Sequence, residues 1–294
     1  MAGLIYKIPT RSLQSSGSVL VLIGFALLVL VLIPGVGHEV NGSRRWLKIG
    51  PITLQASEIA KLFTLIYLAD FLARRQYEVR ETWRGFVKPM AVLMLVSLLF
   101  LLEPDFGSFA VFLVASMGVI FMSGVRLTRF FTVVCIGLLG VVALAYTQAY
   151  RVDRILSFSD PFAFRYGIGY QLTQSLIAFG RGEWFGVGLG ESVQKLFYLP
   201  EAHTDFVLAV VAEELGLISV VLITVCYFMI TLIAFRFGFT AELRQHFFSA
   251  YLAYGIGLLM GIQGFVNIGV NIGLLPTKGL TLPLVSYGGS SLVV

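Results

Sequence analysis

Five stretches of this chain are long enough to cross a bilayer and carry no formal charge: residues 17–37, 106–125, 130–150, 215–235 and 246–277. A helix needs about 20 predominantly apolar residues to span the hydrocarbon. There every backbone N–H and C=O must be satisfied within the protein. These runs therefore confine the chain to membrane-spanning helices. Two further crossings are less clean. Residues 56–73 are apolar but carry Glu58, Lys61 and Asp70, and residues 89–102 offer only 14 uncharged positions. The latter spans if Lys88 snorkels to one interface and Glu103 sits at the other. Seven crossings result, and the uncharged residues 279–294 read as the start of an eighth helix cut off by the end of the chain. Composition agrees: 13% of residues are charged, against about 25% in a soluble domain. The abundance of Leu, Val, Ile and Phe excludes disorder. Lys7 and Arg11 ahead of the first run have the layout of a signal peptide. That run exceeds the usual core of roughly 7–15 residues and further spans follow, so it reads as a membrane helix.

The expected fold is all-α: a polytopic helical membrane protein forming a single membrane domain, residues 1–294, with a large ordered loop at 151–204. One set of short connections holds Lys7, Arg11, Arg74, Arg75, Arg80, Arg84, Lys88, Arg126, Arg129, Arg236 and Arg244, which is 11 of the 21 basic residues. The positive-inside rule puts that set in the cytoplasm. The net charge of +5 then reflects topology and anionic lipid. No clustered basic arm or nucleic-acid module is present, which argues against nucleic-acid binding. Cys135 and Cys226 lie inside apolar runs and make neither a disulfide framework nor a metal spacing.

The informative segments lie outside. The loop at 151–204 balances five basic residues against five acidic ones and contains ten aromatics, too many for a disordered linker. Ile168, Leu172, Leu176 and Phe179 recur at helical spacing, with Gln171 and Gln174 off the stripe. The spacing predicts an amphipathic helix lying in the interface or folded back into the protein. Gly186-Val-Gly-Leu-Gly190 lacks the dinucleotide fingerprint and its βαβ setting. His38, His203 and His246 make no zinc motif, and there is no nucleophile elbow.

A charge at the centre of a membrane helix costs roughly 2.5–3.5 kcal/mol on insertion scales, so the charged residues near the outer mouth carry information. Glu58 and Lys61, three apart, share a helix face. They are either a self-compensating pair or a charged wall of a cavity open to the outside. Asp70, near the cytoplasmic end, is expected to be solvated. Asp105, between Pro104 and Phe106, suits a turn. Asp205 begins the helix running to Phe235, where Asp normally caps. Glu213 lies eight residues further on, close to the same face, and at least one of Glu213 and Glu214 is expected to point into a wet interior. Lys278 stands between Pro276 and Gly279. An outer mouth rich in Arg, Lys, Asp and Glu suits an anionic, partly apolar ligand such as a lipid phosphate or pyrophosphate. It does not separate an enzyme from a transporter.

These outer segments resemble the SEDS family (shape, elongation, division and sporulation). Arg45-Trp46, Gln55-Ala-Ser-Glu-Ile-Ala-Lys61 and Glu103-Pro-Asp-Phe-Gly107 resemble its early motifs. Gly169-Tyr-Gln-Leu-Thr-Gln-Ser175, Gly180-Arg-Gly182, Tyr198-Leu-Pro-Glu-Ala-His-Thr-Asp-Phe206 and Ala212-Glu-Glu-Leu-Gly216 resemble its large loop and the next helix. Residues 276–291 resemble its last signature, and the Pro276-Thr-Lys-Gly279 and Ser192-Val-Gln-Lys195 forms are nearer its cell-division branch than its elongation branch. The family has about ten membrane helices. By motif order, two helices before Gly17 and most of the last are expected to be missing.

The resemblance implies a peptidoglycan glycosyltransferase of the bacterial cytoplasmic (inner) membrane, acting at the division septum. Such an enzyme polymerises the lipid-linked precursor lipid II at the outer face. The acceptor 4-hydroxyl attacks the donor's anomeric carbon and undecaprenyl pyrophosphate leaves, with inversion. Asp205 matches the family's essential aspartate and is the expected base. A helix N-terminus lowers a carboxylate pKa, which works against that role unless burial or a neighbour such as Glu201 offsets it. Arg45, Lys61 and Lys278 are expected to stabilise the pyrophosphate. Glu58 and Asp105 match positions in the same family cavity. They could orient Lys61 or hold a divalent cation, magnesium or manganese, through oxygen ligands. The implied partners are a class B penicillin-binding protein with transpeptidase activity and other division membrane proteins. A lipid II flippase and a non-catalytic scaffold remain as alternatives.

Overall fold

The computed structural model describes residues 9–40, 43–50, 52–146, 158, 160–277 and 279–287. Its elements in chain order are α1 (Thr10–Ser15), α2 (Gly17–Leu32), β1 (Gly37–Val40), β2 (Ser43–Ile49), β3 (Ile52–Gln55), α3 (Ala56–Arg74), α4 (Gln76–Glu81), α5 (Trp83–Leu102), α6 (Phe106–Met122), α7 (Leu127–Tyr146), α8 (Tyr170–Gly182), a π-helical turn (Gln194–Tyr198), α9 (Val207–Leu243) and α10 (Phe247–Asn271). Each expected crossing falls on one helix: α2, α3, α5, α6, α7, α9 and α10. Three of them, α5, α9 and α10, are long and apolar enough by themselves to cross a membrane. The fold divides into two compact units. One holds the described residues up to Phe130 with Ile230–Ile262, and the other holds those from Phe131 to Met229 with the described part of 263–288.

In the first unit, three local features depart from the sequence expectation. The crossing expected over residues 89–102 is a 20-residue helix beginning at Trp83. Thr82 caps it by accepting a hydrogen bond from the Gly85 amide at 3.0 Å. Pro89 lies in the second turn, beyond the amides that lack intrahelical partners, so it leaves the Gly85 carbonyl without its donor. The outer loop after α2 is not irregular: β1, β2 and β3 form an antiparallel sheet in that order. Trp46 pairs with His38 on one side and Gln55 on the other. Strand β3 then runs straight into α3. Finally, Asp70 is 2% exposed, not solvated. Gly17 of α2 leaves room for α2 to pack directly on it, and Arg74 one turn on donates from Nε at 2.8 Å. Arg74, rather than water, satisfies this carboxylate.

In the second unit, α8 folds back onto the protein. Leu172 and Ala178 are buried. Ala178 joins Leu199, Ala202, Phe206, Ala209 and Val270 in one apolar cluster, with Phe179 packed against it. The amphipathic stripe therefore covers the start of α9 and the end of α10. Ile168 falls before the helix and is 48% exposed.

Helix α9 is broken at Gly216, whose φ of 77° and ψ of −179° are not helical. An interrupted helix leaves amides and carbonyls unpaired, and the outer loop satisfies them. The Val187 and Gly188 amides donate to the Glu213 and Glu214 carbonyls at 2.9 and 3.1 Å. The Leu217 and Ile218 amides donate to the Glu183 and Trp184 carbonyls at 2.8 and 3.3 Å. The approach is backbone on backbone: a Cβ at Gly186 would stand 2.1 Å from the Glu214 carbonyl oxygen. The first glycine of Gly186-Val-Gly-Leu-Gly190 thus serves packing.

Candidate functional site

In the first unit, strand β2 and the α5–α6 turn bring Arg45 to Asp105, and the first turns of α3 carry Ser57, which bonds Asp105, and the Glu58–Lys61 pair. Asp105 caps α6, accepting from the Ser108 amide at 3.1 Å, and its other oxygen accepts from Ser57 Oγ at 3.3 Å. Arg45 clamps the same turn. Its Nε and Nη2 donate to the Glu103 and Pro104 carbonyls at 3.3 and 2.8 Å, and its Nη1 lies 3.8 Å from Asp105 Oδ1. Lys61 Nζ donates to Glu58 Oε1 at 2.8 Å. Lys61 is fully buried and Glu58 is 5% exposed, so the pair is compensated and closed to solvent. Of the two cations, Arg45 is the accessible one, its side chain 25% exposed.

Glu103 belongs to this cluster and escaped the sequence reading, which placed it only at an interface. It follows the last residue of α5, is fully buried, and has no hydrogen-bond partner on either carboxyl oxygen among the described residues. Burial, together with the Asp105 charge and against the pull of Arg45, pushes its pKa up to about 8. Glu103 is thus a neutral acid at neutral pH. Among the described residues no three His, Cys, Asp or Glu side chains gather as a metal ion needs. Glu58 is engaged by Lys61, and Asp105 by Ser57, Ser108 and Arg45. This arrangement does not fit a divalent cation.

The second unit carries Asp205. It lies in the turn leading into α9, and its backbone carbonyl accepts from Asn267 Nδ2 at 2.9 Å and Asn271 Nδ2 at 3.1 Å. Its carboxylate comes close to the Pro276–Gly279 motif: Oδ2 would stand 2.8 Å from a Cβ at Gly279. Lys278 lies outside the described residues. Glu201 is engaged by the Thr204 hydroxyl at 2.7 Å.

Two turns into α9, Glu213 is fully buried. It accepts from Arg181 Nη1 at 2.9 Å, from Ser192 Oγ, and from the Val193 and Gln194 amides, each at 3.2 Å. It is the inward-pointing glutamate the sequence anticipated, but it faces four donors of the outer loop rather than water. Glu214 takes Lys195 at 2.6 Å. Asn267 and Asn271 were missed. Their signal was present: two amides four apart inside a 32-residue uncharged run, where a buried polar group is costly unless hydrogen-bonded.

A family model for cell cycle proteins matches residues 1–294. A relative from Hahella chejuensis, named probable peptidoglycan glycosyltransferase FtsW, is 53% identical over 292 residues, covering 99% of this chain and 73% of its own. One from Pseudomonas fluorescens with the same name is 51% identical, covering 98% and 70%. Among solved structures, one described as showing the coordination of polymerization and crosslinking by a peptidoglycan synthase complex aligns with a TM-score of 0.82 at 30% identity, over 99% of this chain and 81% of that one. The rod shape determining protein RodA of Thermus thermophilus aligns with a TM-score of 0.70 at 29% identity, over 99% and 78%.

Proposed function

The chain belongs to the FtsW/RodA/SpoVE family of cell cycle proteins, and from that premise we infer that it is a peptidoglycan glycosyltransferase polymerising lipid II at the outer face of the bacterial cytoplasmic membrane during cell division. The observation that carries the reading is the match, at about half identity over nearly the whole chain, to relatives named for this activity. Asp205 takes the proton of the acceptor 4-hydroxyl as that oxygen attacks the anomeric carbon. The bond to undecaprenyl pyrophosphate breaks and the configuration inverts. A general base must lie within hydrogen-bond reach of the proton it takes, and a carboxylate in an anchored turn suits that need. Charge develops on the leaving pyrophosphate, where fixed cations act. Arg45, partly exposed and held by backbone carbonyls, supports that role as it stands. Lys61 joins only after parting from Glu58, and Lys278 is the third cation assigned to it.

The product implies a place beside a crosslinking enzyme. A class B penicillin-binding protein is the partner of fitting chemistry, with other division proteins at the septum. The likeness to a peptidoglycan synthase complex in which polymerization and crosslinking are coordinated supports this. The test is Asp205→Asn in the intact protein. Asn caps a helix about as well as Asp but cannot accept a proton at neutral pH. Polymerisation of lipid II should fall by roughly 10²–10⁴-fold with expression and melting temperature nearly unchanged. Near-normal glycan polymer would end the assignment and favour a flippase or scaffold.

A further inference from the structure

Three consecutive carbonyls at the candidate base are held by one stretch of chain. The His203 carbonyl accepts from the Tyr287 amide at 2.9 Å. The Thr204 carbonyl accepts from Ser286 Oγ, which also receives the Leu282 amide at 2.7 Å. The Asp205 carbonyl accepts from Asn267 and Asn271. The amide nitrogen of Asn267 has two hydrogens, and both are engaged: one on the Asp205 carbonyl at 2.9 Å, the other on the Leu280 carbonyl at 2.6 Å. Asn271 braces it: with one hydrogen toward the Asp205 carbonyl, the other is shared between the Asn267 backbone carbonyl at 2.9 Å and its side-chain oxygen at 3.3 Å, while its own Oδ1 takes the Ala209 amide at 3.2 Å. Asn267 is 2% exposed and Asn271 fully buried. The turn before α9 and the segment after α10 are thus joined through one amide group.

Gly279 stands one residue before that junction. Its φ lies outside the left-handed region, so the backbone makes no demand for glycine there. What a Cβ would meet is specific. Among the described residues, only the Asp205 carboxyl group comes within 4 Å, with Oδ2 at 2.8 Å and Cγ at 3.8 Å. A real Cβ does not approach an oxygen that closely, so any other residue at 279 moves either the carboxylate or the segment.

We propose that Asn267 and Gly279 are positioning residues for Asp205, Asn267 by fixing its backbone against Leu280 and Gly279 by leaving its carboxylate room beside the segment. The proposal rests on reading Asp205 as the base. A misplacement of about 1 Å can cost roughly 10²-fold in rate, so a side chain as small as a methyl at 279 is enough to register.

The experiment compares Gly279→Ala, Asn267→Ala and Asp205→Asn in the intact protein, reading kcat and KM for lipid II polymerisation separately along with melting temperature. Gly279→Ala should lower kcat tenfold or more, with KM within twofold and melting temperature unchanged. Asn267→Ala should lower kcat similarly while also losing some thermal stability, which is why the glycine variant decides. Wild-type kcat in Gly279→Ala beside an inactive Asp205→Asn overturns the positioning role and leaves the base reading intact. A loss that appears in KM, or that tracks a fall in melting temperature, also overturns it, making Gly279 a binding or structural glycine. An active Asp205→Asn removes the base itself, and this proposal with it, whatever Gly279→Ala does.

Discussion

Glu103 and Glu213 are both fully buried glutamates next to a cation, yet the two units treat them in opposite ways. Glu213 receives four donors from the outer loop. Glu103 receives none among the described residues, although Arg45 binds its backbone carbonyl. Burial alone therefore does not tell what a carboxyl group contributes. A charge-assisted hydrogen bond is about twice as strong as a neutral one, so Glu213 ties the loop to α9. Glu103 meets the same desolvation by keeping its proton, and among the described residues its carboxyl group ties nothing.

The widest gap between the two should appear on truncation. Glu213→Ala leaves the Ser192 hydroxyl and the Val193 and Gln194 amides without their acceptor. Arg181 is partly exposed and regains water, but with about 1–3 kcal/mol for each buried donor left unsatisfied the loss should reach about 3–5 kcal/mol, read as thermal unfolding in detergent. A loss under about 1 kcal/mol would place Glu213 with Glu103 and erase the distinction. Lys61→Met should come next, because it strips Glu58 of a buried cation; about 1–3 kcal/mol is expected. Adding Glu58→Gln should recover much of that, and strictly additive losses would mean the pair is not coupled. An effect of opposite sign, absent at low pH and growing with pH, belongs to Glu103→Gln. The folded pKa of about 8 lies above the ordinary 4.5, so the folded state holds the proton more tightly than the unfolded one. The contribution of Glu103 is full below about pH 4.5 and is lost as pH rises toward 8. Gln removes that slope. The variant should match wild type at low pH and exceed it at pH 8, and parallel stability curves would show that Glu103 does not titrate in this range.

The helices were legible because a bilayer leaves the backbone few choices: among the described residues each of the five long uncharged runs holds a helix, whereas residues 279–287, expected to begin an eighth, are not helical and 288–294 lie outside the described residues. The three-stranded sheet was not. Its strands are four to seven residues long, too short for a clear alternation, and their pairing depends on contacts along 19 residues of chain. Asp205 is a candidate through motif resemblance alone, its position suggesting only a cap. Glu213 was suspected from its depth in an apolar helix, but its four donors come from residues 181–194, distant in sequence. Asp70 misled because nearness to a helix end says nothing of what packs over it; Gly17 does that. Glu103 could not have been read at all, since an orphaned carboxyl is defined by the partners it lacks.

The break at Gly216 turns α9 into two rods. Asp205 stands 11 residues before it, so the outer rod is an arm of about 16 Å at 1.5 Å per residue, pivoting where the helix is interrupted. A rotation of about 4° at that joint carries the carboxylate roughly 1 Å, a distance catalysis registers. The bonds from Val187 and Gly188 grip the outer rod, while the carbonyls of Glu183 and Trp184 grip the membrane rod. Six residues of the loop thus span the joint like a splint. The angle at which the candidate base is presented is set by this stretch of outer loop as much as by the helix that carries it.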